Sequence, residues 1–140
     1  MGFIKNVPLF ALLLVAYNVI IIGAAATSPD TNILDYQIAE FPLPSGESWI
    51  PTNRDVLILI GLVVLYIELI KSTQTATTTV VEHTFSMFVF IIYLVEFLML
   101  PQVADSAFLI LGFMSLIDVI AGFTITISTA KRDFSLGGRD

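Results

Sequence analysis

The stretch DSAFLILGFMSLIDVIAGFTITIST, Asp105 to Thr129, decides the fold class. It is apolar and longer than the ~20 helical residues that cross a bilayer, yet it carries a carboxylate, Asp118, near its middle. At roughly 100° per residue, Gly112, Ser115, Asp118, Gly122, Thr126 and Thr129 fall on one helical stripe about 120° wide. Leu116, Ile117, Ile120, Phe123 and Ile127 take the other side. A membrane helix with its small and polar groups on one face packs that face against protein. Gly112, Gly122 and Thr126 are therefore expected at helix contacts.

Working outward, three further segments share this character. Val7 to Ala26 has spanning length, with Asn18 on the face of Ala11 and Ala25. A basic start and the small residues GAAAT make a cleaved signal peptide the rival reading, but the apolar run is long for one, so a retained helix is expected. Residues 54–72 follow the pattern Thr52-Asn53-Arg54-Asp55, in which Thr52 caps and Asp55 reaches back. Gly61, Glu68, Ser72 and Thr75 share its stripe. Residues 80–100 open on a second such pattern, Thr79 to Glu82, and stop at Pro101. There Glu82, Ser86, Val89, Tyr93 and Glu96 form the stripe, flanked by His83 and Phe90. The fourth segment, 105–129, is capped by Asp105 or Ser106.

Between the first two segments, residues 27–53 are punctuated by Pro29, Pro42, Pro44, Gly46 and Pro51, which forbid a long helix. Ile33 to Phe41 is expected as a short extended stretch or one amphipathic turn, and Trp49 as an interfacial anchor. The polar run Lys71 to Thr79 is a short connector that favours antiparallel neighbours. Residues 130–140, with Gly137-Gly138, read as a frayed tail.

Composition agrees with a membrane protein. Of 140 residues, 56% are apolar and 13% charged, with a mean hydropathy of +0.92, too little polar surface for a soluble monomer. With no cysteine there is no disulfide framework, thiolate nucleophile or cysteine-ligated metal. Six Lys and Arg without a basic stripe exclude nucleic acid as the expected partner.

If all four segments cross, Lys5, Lys71, Lys131, Arg132 and Arg139 lie on one side. Arg54 lies on the other with Asp30, Asp35, Glu40, Glu47, Asp55 and Asp105. The positive-inside rule then places both termini in the cytoplasm. The expected fold is a single all-α integral membrane domain: a four-transmembrane-helix up-down bundle in a bacterial-type cytoplasmic membrane, with an outward loop at 27–53.

Charged groups inside such a bundle cost at least ~2.5–3.5 kcal/mol each at the bilayer centre, so each requires a reason. Glu82 can satisfy the start of its own helix, and Glu68 can pair with Lys71 by snorkelling. Asn18 is expected to hydrogen-bond between helices. Glu96 and Asp118 lie on stripes of adjacent antiparallel helices, about 9 Å apart along the normal. Facing each other, they would form a polar seam with Glu68, Asn18, Tyr93 and Ser115, either interhelical glue or a proton path, because carboxylates in low dielectric resist joint ionisation. His83 could ligate haem or a chlorin magnesium, though no second ligand accompanies it. No cofactor and no metal site is expected from motif spacing.

Enzymatic motifs are absent: no Ser-x-x-Lys, nucleophile elbow or phosphate loop. The first functional reading is a non-catalytic accessory or structural subunit of a larger membrane complex, contacting lipid and other membrane subunits or its own copies. The second is an oligomeric proton- or cation-translocating protein using the intramembrane carboxylates. The third is a haem- or pigment-binding subunit using His83.

Overall fold

The computed structural model describes residues 7–28, 31–73 and 79–137. Lys5, Pro29, Asp30, residues 74–78 of the connector, Gly138 and Arg139 lie outside them, as do the side chains of Thr79, Thr129 and Arg132. The chain is helical, with α1 Leu9–Thr27, α2 Asn53–Ser72, α3 Thr79–Met99 and α4 Ser106–Gly137. Among the described residues, three stretches are long and apolar enough to cross a membrane: Leu9–Thr27, Val81–Met99 and Ser106–Ser128. α2 has comparable length, about 30 Å, but carries Arg54 and Asp55 at one end and Glu68 and Lys71 at the other.

Local chemistry accounts for the helix boundaries. The Thr52 backbone N–H and Oγ1 both donate to Asp55 Oδ2 at 2.8 Å, closing the start of α2. Asp105 caps α4, its Oδ1 accepting from the Ala107 N–H at 2.7 Å. Pro101 ends α3 and opens a single 3₁₀ turn, Pro101–Val103. α4 continues to Gly137, well past the expected end at Thr129. The segment AKRDFSL contains no glycine or proline. Loss of hydrophobicity there marks a change of surroundings without breaking the helix, which corrects the frayed-tail expectation for residues 130–137.

The loop between α1 and α2 is ordered by backbone pairing. Ile33–Asp35 forms one 3₁₀ turn, capped by Asn32 Oδ1 accepting from Leu34 N–H at 3.1 Å. Two short strands, β1 Phe41–Pro42 and β2 Ser48–Trp49, pair antiparallel, Phe41 opposite Trp49. Gly46, at φ +89°, makes the turn between them. Gln37 bridges to Thr52, and Ile38 N–H donates to Pro51 O.

The helices pack mainly along α3–α4 and α2–α4, with α1 lying across α2 and α3. Their buried faces are the small-polar stripes. On α4, Gly112, Ser115, Asp118 and Gly122 are buried while Ile117, Ile120 and Ile127 are exposed. On α2 the buried residues are Leu57, Gly61, Glu68 and Ser72. The core between the helix ends is apolar and aromatic: Phe10, Leu13 and Leu14 from α1, Val89 from α3, and Phe108, Leu111 and Met114 from α4. Tyr17 and Tyr93 flank Phe108 at ring centroid distances of 4.9 and 5.1 Å.

Candidate functional site

Polar groups collect at the two ends of this core. At the loop end, Arg54 is the hub. Its guanidinium donates to Asp105 Oδ2 from one nitrogen and to Asp35 Oδ1, at 2.7 Å, from another. It thus ties the 3₁₀ turn of the loop to the starts of α2 and α4. Asn53 adds two bonds to the same turn, Nδ2 to Ile33 O at 2.8 Å and its N–H to Tyr36 O at 3.1 Å. Arg54 is the single cation among six acids on its expected side. In the sequence that imbalance is read for orientation alone, and the part Arg54 plays as a hub is missed.

The clamp holds a loop whose outer surface is apolar. Tyr36, Ile38, Phe41, Leu43, Trp49 and Ile50 are all exposed, Tyr36 at 66% and Trp49 at 48%. The Phe41 and Trp49 rings meet across the hairpin at a centroid distance of 5.7 Å, tilted by 33°. These side chains belong to the loop and to none of the four helices.

At the opposite end, α2, α3 and α4 bring together Glu68, Ser72, Glu82, His83, Ser86, Ser115 and Asp118, each at least nine-tenths buried. Glu68 reaches across to α1: its Oε1 accepts from the Leu9 N–H at 2.6 Å, and Lys71 Nζ approaches its Oε2 at 3.5 Å. The Lys71 pairing accompanies a second task, closing the start of α1, where Pro8 offers no side-chain cap. Ser86 hydrogen-bonds to Asp118. His83 lies against Gly122, where a Cβ would collide with the imidazole, and its ring is 5.7 Å from Phe123. Pro8, Glu68, Lys71, Ser72, Glu82, His83 and Ser86 line a narrow recess here. His83 is thus 4% exposed and sits between Gly122 and this recess.

Glu96 and Asp118 lie at well-separated levels of the bundle. Contacts of His83 with Gly122, Ser86 with Asp118 and Tyr93 with Gly112 fix the antiparallel register of α3 on α4. Residue 96 therefore lies level with residue 109, about 14 Å from the level of Asp118 at 1.5 Å per residue. The expected spacing of about 9 Å is corrected to that value. Glu96 instead accepts from Asn18 Nδ2 on α1 at 2.8 Å. Asn18 Nδ2 also bonds to Leu14 O. Tyr93 O–H donates to Phe10 O at 3.3 Å, and Thr126 bonds within its own helix to Gly122 O. Ser115 is fully buried, and its Oγ has no hydrogen-bond partner.

A groove of about 430 Å³ between α1 and α3, lined by Pro8, Ala11, Val81, Phe85, Phe88 and Ile92 among others, is apolar throughout. Among the described residues, no three of His, Cys, Asp and Glu form a metal-holding group. No family model, no curated protein and no solved structure matches the chain.

Proposed function

We propose that this chain is a small non-catalytic subunit of a larger membrane protein complex. On this reading all four helices cross a bacterial-type cytoplasmic membrane with both termini inside, and the 31–52 loop docks a partner on the outer side. The charge asymmetry between the two ends supports the orientation. The grouping of Arg54 with Asp105 at one end of α2, and of Glu68 with Lys71 at the other, supports α2 as a fourth span with snorkelling ends.

The observation that carries the proposal is the loop. Arg54, Asn53 and the hairpin order it, and it displays six large apolar side chains to the outside. A segment already ordered loses less entropy on docking than a floppy one, and aromatic residues are the usual anchors of interfaces. The apolar core between the two polar ends, built around Phe10, Phe108 and Leu111, favours a packed subunit over a continuous proton path. The tight seat of His83 favours it over a pigment carrier.

Cross-linking in native membranes tests this directly. Trp49→Cys introduces the first thiol of the chain, to which a photoactivatable cross-linker is attached. A discrete protein adduct is expected; adducts with lipid alone would overturn the proposal.

A further inference from the structure

Among the described residues, buried acids outnumber the bordering cations at the end of the helices away from the loop. Glu68 from α2, Glu82 from α3 and Asp118 from α4 are 6%, 8% and 1% exposed, and His83 between them is 4% exposed. Lys71 on α2 is the cation among the described residues that borders them. α1 contributes Pro8 and the Leu9 N–H and no titratable side chain there. With every carboxyl ionised, three buried negative charges would face, among the described residues, one ammonium group. Buried charge without a counter-charge is among the costliest arrangements a protein can hold.

The hydrogen bonds do not remove the imbalance. Glu68 receives the Leu9 N–H and Lys71. Asp118 is bonded by Ser86, but its Oδ2 is buried with no partner. His83 Nε2 and Ser115 Oγ are likewise buried and unpartnered along the same α3–α4 seam. The recess beside them is too narrow for a cation with its hydration shell, whereas a proton can reach them by transfer from one polar side chain to the next.

We propose that Asp118 and His83 form a proton-binding site, loaded from the aqueous phase at the Lys71 side. Uptake transfers a proton from hydronium to a carboxylate oxygen or to the imidazole and leaves water outside. Asp118 is the deepest acceptor, and His83 lies between it and the mouth, held in place by Gly122. The site binds protons without conducting them, since the apolar layer of Phe10, Phe108 and Leu111 closes it toward the loop end. It stands independently of any partner at the loop, because every group in it belongs to this chain.

The chain has one histidine, so ring-labelled histidine reports His83 alone. The full chain in lipid nanodiscs is titrated by NMR, and its carboxyl C=O stretch is recorded by infrared spectroscopy at neutral pH. Two results are expected: a carboxylic-acid band that Asp118→Asn removes, and a His83 midpoint that Asp118→Asn moves by about one pH unit, as for coupled groups. Glu96→Gln, at the other end, is expected to leave both unchanged. If Asp118→Asn does not fold, the wild-type band decides by its presence or absence. Absence of that band, or a His83 titration indifferent to Asp118→Asn, would overturn the proposal.

Discussion

His83 lies so close to Gly122 that a Cβ on residue 122 would collide with the imidazole ring, while a Cβ on Gly112 would meet Tyr93 at an ordinary 3.5 Å. These two glycines on one face of α4 therefore have different reasons to lack a side chain. Gly122→Ala forces the imidazole out of its seat, an overpacking cost of ~1–3 kcal/mol that exceeds or cancels the ~1 kcal/mol gained in helix propensity. Gly112→Ala keeps the gain without the clash. Thermal unfolding in one detergent is expected to show Gly122→Ala below Gly112→Ala, with the latter at or above wild type.

Arg54 joins the loop to two helix starts, through Asp35 and Asp105. Removing it strands the less exposed partner, Asp105, at a cost of about 2 kcal/mol for charged hydrogen bonds. Arg54→Ala is expected to speed hydrogen exchange at Ile38 N–H, whose bond to Pro51 closes the loop. Asp35→Asn should matter less, since that carboxylate is 60% exposed and such pairs are worth under ~1 kcal/mol.

Asn18 and Glu96 meet between α1 and α3. A double-mutant cycle with Asn18→Ala and Glu96→Ala is expected to give a coupling of about 0.6–1.7 kcal/mol, the range for membrane hydrogen bonds. The same cycle between Asn18 and Asp118 is expected to give none, because their levels and partners differ.

Glu68 accepts the Leu9 N–H from another helix. Glu68→Gln retains an acceptor oxygen, whereas Glu68→Ala leaves the start of α1 without its cap, a loss of ~0.5–2 kcal/mol. Amide exchange at Leu9 is expected to accelerate in Glu68→Ala and much less in Glu68→Gln.

These relationships show which parts of the molecule were legible in the residues alone. The helices were, because Asp55 and Asp105 are capping residues at the right offsets and Pro101 is a stop. Their buried faces were too, because Gly61, Glu68 and Ser72, or Ser115, Asp118 and Gly122, repeat at the helical period. The level at which two faces meet was not. A wheel assigns Glu96 and Asp118 to facing stripes, but the register of α3 on α4 follows from which bulky groups find gaps, such as His83 on Gly122. The end of α4 was misplaced for a related reason. Hydropathy falls after Thr129, whereas helix propensity persists to Gly137. The gathering of Glu82 and His83 with Glu68 and Asp118 needed both registers at once, and no periodicity carries that information.

The central claim, that this chain is one subunit of a membrane complex, is tested most directly by native mass spectrometry after mild detergent extraction. The chain alone weighs 15.4 kDa. A stoichiometric species heavier than that is expected, and it should dissociate when Phe41 and Trp49 are both changed to Ser. A folded wild-type chain released quantitatively at 15.4 kDa would contradict the account.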